Sequence, residues 1–142
     1  MPDYLINSSI FPDIISMHIS MVCGRKDTGG HSIFLGQVRD DILGGKRVAA
    51  IEYSAYEPML NGEADKIVEE IRREFEDVKS MVILHSTGIV KAGEVSLLVI
   101  ISAGHRDHAT RACRQIVELI KERLPVWKRE IFEDDSHHWR EN

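Results

Sequence analysis

The run "VSLLVIISA" at 95–103 constrains this chain more than any other segment. It is half the length of a membrane-spanning helix and suits a buried strand. The chain after it must therefore leave a protein interior. "SAGHRDH" does so with a glycine, a histidine and an arginine in succession. Residues 105–123 then put Ala109, Ala112, Cys113, Ile116 and Leu119/Ile120 on one stripe at helical spacing. Pro125 disfavours helical geometry at Leu124, so the helix is expected to end there.

The remaining elements are read from the same periodicities. Residues 4–10 are compatible with a short strand, and "PDIISMHISMV" (12–22) with a helix carrying proline in its first turn. "HSIFLGQVR" (31–39) and "RVAAIEYSAY" (47–56) are rich in β-branched and aromatic residues. They are expected to pair as a hairpin across "DDILGG", since Gly44 and Gly45 accept positive φ. Residues 57–78 form an amphipathic helix on Ala64, Ile67, Val68, Ile71 and Phe75. Strands at 79–86 and 94–103 flank "STGIVKAGE", where Gly88 and Gly93 mark turns, and "VWKREIF" (126–132) alternates as a last strand. The order β-α-β-β-α-β-β-α-β, with hairpins as well as crossovers, reads as α+β with a mixed sheet. At 142 residues, without repeats or a linker, one domain over 1–142 is expected.

Charge is uneven along the chain. The total is −5, with 23 Asp+Glu against 18 Lys+Arg, which argues against general affinity for nucleic acid or membrane surfaces. Yet Gly104 to Glu130 holds seven bases against four acids, net +3, leaving −8 for the rest. Arg111, Arg114 and Arg123 read as a solvated helix face with Glu118 and Glu122 as partners. The cations at the two helix ends are less ordinary. Backbone N–H groups at a helix start make an anion site to which Arg106 adds a bidentate fork. Lys121 complements the dipole one turn before the break and is expected to be partly buried; Lys128 and Arg129 come past the break. A capping role for His105, Gly104 or Lys121 is the plainer alternative. Two cysteines imply no disulfide framework, and "MPDYLIN" has an acid where an export signal has a base, so a reducing, cytoplasmic setting is expected.

Together "FLGQVRDD" (34–41), "SAGHRDHA" (102–109) and "IKERLPVWKRE" (120–130), in this order and spacing, resemble the large, catalytic subunit of molybdopterin synthase. "IEYSAYEPM" (51–59) and "HSTGIVKAGE" (85–94) extend the likeness, which runs from about Gly29 to Trp139. The resemblance implies an α+β fold with three main helices and a hammerhead-like β element. It implies a sulfurtransferase of molybdenum-cofactor biosynthesis, converting cyclic pyranopterin monophosphate to molybdopterin. Two sulfurs arrive as a thiocarboxylate on the C-terminal glycine of a small ubiquitin-like subunit. The implied assembly is a homodimer of large subunits within a heterotetramer, with no metal or organic cofactor in this subunit. Carried across, the substrate-binding set is Gln37, Val38, Arg39, His105, Arg106, Lys121, Lys128, Arg129 and Glu130, with Lys121 and Lys128 catalytic. Gln37 stands where relatives often carry a base.

Three other chemistries compete. Cys23, in a loop before "GRKDTGG", is a candidate nucleophile, whereas Cys113 sits on an apolar stripe as a core residue. His105, His108, His137 and His138 are a candidate metal cluster, though without an acid or cysteine at a recognised spacing. A noncatalytic module that docks a ubiquitin-like tail or a phosphorylated ligand would use the same basic groups.

Overall fold

A computed structural model describes residues 3–140. In chain order the elements are β1 (Leu5–Ile6), α1 (Pro12–Val22), β2 (Gly30–Gln37), β3 (Ile42–Leu43), β4 (Lys46–Ser54) and α2 (Glu57–Glu74). Next come β5 (Val78–Ser86), β6 (Gly88–Lys91), β7 (Val95–Ala103), α3 (Arg106–Arg123), β8 (Trp127–Phe132) and β9 (His137–Arg140). The architecture is α+β, as the periodicities imply, but the strands divide between two sheets.

The first sheet has the order β1-β5-β7-β2, with β1 parallel to β5 and the other pairs antiparallel. Strand β7 is the apolar run, and its lack of alternation has a structural cause. Leu97, Val99, Ile101 and Ala103 enter the main core with α2 and α3, whereas Leu98 and Ile100 face Ile14, Ile15 and Ile19 of α1. A strand covered on both faces has no polar side to present. Helix α3 buries Ala109, Ala112, Cys113, Ile116 and Ile120, the anticipated stripe, and also Val117. It ends at Arg123 with Leu124 as an extended cap.

The second sheet runs β3-β4-β8-β9, with β6 also paired to β4. Here the expected hairpin is corrected. Strand β2 pairs with β7 in the first sheet, and β4 pairs with β3, β6 and β8 in the second. Gly44 and Gly45, at φ 57° and 80°, do form a two-residue turn, but it joins β3 to β4. After a register shift at Gly36/Gln37, the chain crosses between sheets through Val38, whose N–H donates to the Glu94 carbonyl (3.0 Å). The sequence marks turns around 88–93, yet Gly88–Lys91 is a strand on the edge of β4. Helix α2 stops at Glu74 rather than near residue 78, because Val78 must be extended to begin β5.

The β7–α3 junction leaves no room for a Cβ at Gly29 or Gly104. A Cβ on Gly29 would lie 2.3 Å from the Gly104 carbonyl oxygen, and one on Gly104 would lie 2.4 Å from Asp77 Oδ1. Gly62, inside α2, has no neighbour within 4 Å of such a Cβ. Gly29→Ala is therefore expected to lose about 1–3 kcal/mol of stability in urea titration. Gly62→Ala is expected to gain about 0.5–1 kcal/mol in the same measurement.

Candidate functional site: a cationic cavity between the sheets

A cavity of about 360 Å³ opens where the two sheets meet the C-terminal end of α3. Three sequence-distant segments supply its cations: Arg39 from the crossing between sheets, Lys121 from the last turn of α3, and Lys128 from β8. Gln37, Val38 and Glu130 line the same space. Six of the nine residues carried across by resemblance thus converge.

The other three do not, and the geometry gives the reasons. Neighbouring residues on a strand point to opposite faces. Lys128 and Glu130 share the cavity face of β8, so Arg129 must face away. There it pairs with Glu52 and lies 5.6 Å from the Trp139 ring centroid. His105 and Arg106 stand at the start of α3, 16 residues before Lys121, or about 24 Å along a helix axis. His105 is the N-cap but makes no side-chain cap bond. Its N–H donates instead to Asp77 Oδ2 (2.8 Å), which also lies 2.8 Å from His108 Nδ1. The His108 contact is the main cause holding the Asp77 carboxyl below the ordinary carboxylate range.

The cations differ in setting. Arg39 is largely exposed and lies 3.3 Å from Asp41, which also lines the cavity. Lys121 is exposed, contrary to the partial burial expected of it, and Lys128 is half-buried. Of the bases assigned to the helix face, Arg111 pairs with Asp107 (3.0 Å). Arg123 reaches across to Glu63 (2.8 Å) and Glu70 of α2, not to Glu118 or Glu122. Glu130 is 3% exposed and shares the lining with Lys121 and Lys128.

Sequence reasoning missed the cavity's neutral polar wall. Tyr53 of β4 donates its hydroxyl to Ser96 Oγ (3.1 Å), and its ring meets His85 edge-on at 5.1 Å between centroids. His85, at the end of β5, lines the cavity and donates from Nδ1 to the Ser86 carbonyl (2.8 Å). Burial chiefly, with the charges of Lys128 and Lys121 adding, pushes its pKa down to about 4 despite that bond. The ring is therefore neutral near pH 7. A histidine at the end of an apolar strand, shortly before a glycine, was the available signal.

The competing chemistries find little here. Cys113 is buried, which raises its thiol pKa, and Cys23 is exposed with Sγ 3.7 Å from His31 Nε2; neither lines the cavity. Among the described residues no group of three or more His, Cys, Asp or Glu side chains could hold a metal ion. His137 and His138 are adjacent on β9 and so face opposite ways. No helix among the described residues is long and apolar enough to cross a membrane.

An α+β frame that gathers bases from separate segments around one cavity has the electrostatics to attract an anionic ligand. The chain belongs to the MoaE protein family, whose model matches residues 12–123. It is 38% identical over 139 residues to the molybdopterin synthase catalytic subunit of Drosophila willistoni, covering 97% of this chain and 36% of that one. It therefore spans about a third of that relative's length. The Dictyostelium discoideum molybdopterin synthase catalytic subunit is 40% identical over 117 residues, covering 81% of this chain and 73% of that protein. Among solved structures, molybdopterin synthase from Staphylococcus aureus superposes with a TM-score of 0.85 at 27% identity, over 98% of this chain and 96% of that one. A complex of subunits 1 and 2 of molybdopterin-converting factor from Helicobacter pylori shares the fold, with a TM-score of 0.82 at 19% identity over 97% and 89% of the chains.

The buried neutral histidine has a consequence for stability. An unfolded histidine titrates near 6.5, and His85 in the fold near 4, so the unfolded chain binds more protons between those values. The native state is fully favoured above pH 6.5 and loses ground as pH falls towards 4, by roughly 3 kcal/mol from this group. Urea titrations across that window are expected to show the slope, and His85→Asn to remove this share of it.

Proposed function

We propose that this protein is the catalytic subunit of a molybdopterin synthase. On this reading it converts cyclic pyranopterin monophosphate to molybdopterin, taking two sulfurs from the C-terminal thiocarboxylate of a small ubiquitin-like carrier. The observation that carries the reading is the convergence of Arg39, Lys121 and Lys128 on one cavity. The names of the relatives and the molybdopterin synthase of like fold support it.

The reaction supplies a physical need for that convergence. A phosphate-bearing pterin and a thiocarboxylate are both anions that must approach to bonding distance. Two unit negative charges ~5 Å apart repel by roughly 3 kcal/mol at an effective dielectric near 20. Left uncompensated, this slows reaction by about two orders of magnitude. Fixed cations offset the repulsion and stabilise charge that develops as sulfur adds to carbon. Lys121 takes the central role at the reacting atoms; Lys128, half-buried on β8, holds phosphate or pterin. Arg39 sits at the rim, and Gln37 offers a neutral contact.

His105 and Arg106 enter the scheme from a second copy. They are too far along α3 to reach the cavity that Lys121 lines, so each site draws them from the dimer mate. Two observations support a homodimer. The edge strand β2 carries Ile33 and Leu35, each more than 40% exposed, on the sheet face they share with Leu98 and Ile100. His105 and Arg106 also lie at the opposite end of α3 from the cavity. The carrier's tail then enters from solvent beside the exposed Lys121, completing a heterotetramer. Two free thiols support a reducing, cytoplasmic setting.

Lys121→Ala is expected to leave folding and carrier binding intact while dithiolene formation from thiocarboxylated carrier and pterin precursor falls below detection. Turnover like wild type would remove Lys121 from the mechanism. Lys128→Ala is expected to raise the apparent KM as well as lower kcat; an unchanged KM would argue against a holding role. Mixing inactive His105→Ala and Lys121→Ala subunits is expected to restore partial activity through heterodimers. No recovery despite subunit exchange would favour a site within one chain.

A further inference from the structure

The cations explain how the cavity holds an anion, but not how it would choose one. Lysine and arginine only donate hydrogen bonds, so Arg39, Lys121 and Lys128 would serve any phosphate of suitable size. A pterin also presents ring N–H and amino donors, and these require acceptors. The hydroxyls of Tyr53 and Ser96 are engaged with each other, and the Asp41 carboxylate lies against Arg39. Glu130 is an acceptor with an ionisable carboxyl, and Gln37 offers a neutral amide oxygen but on an exposed side chain.

His85 differs from all of these. Its Nδ1 must carry the hydrogen, because its partner there is a carbonyl oxygen, which can only accept. With the ring neutral, the lone pair is then on Nε2. No described hydrogen bond goes to Nε2, whereas the residue itself lines the cavity. The Tyr53 ring, edge-on at 5.1 Å, and the Ser86 bond fix the imidazole plane. The result is a pre-oriented acceptor without charge, at a wall where imidazolium would repel the neighbouring lysines. A ligand donor that reaches the cavity wall would supply a partner for this nitrogen.

We propose that His85 Nε2 accepts a hydrogen bond from a ring N–H or amino group of the pterin, which makes His85 a specificity-determining residue of the cavity. This rests on the functional reading above and adds the group that separates a pterin phosphate from other phosphates. The two substitutions that dissect it are His85→Asn and His85→Gln. Asparagine keeps a donor near the Nδ1 position and lacks the distal acceptor. Glutamine reaches the distal position with its carbonyl oxygen and gives up the Ser86 bond.

The test is calorimetric titration of the full chain and both variants with the cyclic pterin monophosphate and, separately, with inorganic phosphate. His85→Asn is expected to weaken pterin binding roughly ten- to hundredfold, the loss associated with a ligand donor left without its acceptor. Its affinity for inorganic phosphate is expected to stay within about twofold, since the cations are untouched. His85→Gln is expected to recover most of the pterin affinity. Unchanged pterin affinity in His85→Asn overturns the proposal, as does an equal loss for pterin and phosphate, which would mark a general disturbance of the cavity. A wild-type chain that binds phosphate and not the pterin instead overturns the functional reading on which the proposal rests.

Discussion

Burial of β7 on both faces is the constraint on which the rest depends. Helix α1 covers Leu98 and Ile100, and α2 with α3 covers Leu97, Val99, Ile101 and Ala103. That strand ties the two structural layers together and fixes both ends of the site machinery. At its beginning, Ser96 and Leu97 line the cavity. At its end, Gly104 turns the chain into α3, which runs back across the sheet and delivers Lys121 to the cavity its own strand began. The strand–helix unit thus measures out one length, with the cationic cavity and the His105–Arg106 pair at its two extremes. One chain cannot bring them together without breaking the unit, which is why the proposed site draws on a second copy.

The electrostatics of the cavity depend on where each base is anchored. Arg39 and Lys121 are exposed and keep most of their hydration, so gathering them costs little. Lys128 is half-buried on a strand whose next inward residue is Glu130, so the deeper cation has a carboxylate nearby. Part of the lining is neutral. His85 sheds its proton because burial and two lysines penalise the imidazolium. The lining therefore combines exposed cations with a buried neutral imidazole. That combination suits a ligand with a phosphate at one end and a heteroaromatic ring at the other.

Much of this was legible in the residues. Pro12 and Pro125 bound α1 and α3, and the helical stripe on α3 is buried as spaced. The cavity lining was legible chiefly through motifs that gather Gln37, Val38, Arg39, Lys121, Lys128 and Glu130. What failed did so for identifiable reasons. Strand pairing is a tertiary choice: "HSIFLGQVR" and "RVAAIEYSAY" look like hairpin partners, but β7 and β8 offered each a better-buried neighbour. A four-residue strand between glycines, β6, carries too little pattern to separate from a turn. Arg129 was grouped with Lys128 by motif, whereas the two-residue period of a strand separates them. His85 was missed because its place, at the end of an apolar strand and shortly before a glycine, suits a core histidine as well as one whose second nitrogen meets a cavity.

Anion occupancy of the cavity tests the central claim most directly. Crystals of the protein soaked in selenate, located by anomalous scattering, are predicted to show the ion held jointly by Arg39, Lys121 and Lys128. The account is contradicted if selenate binds elsewhere on the chain while that cavity stays empty, or if the three side chains point apart into solvent.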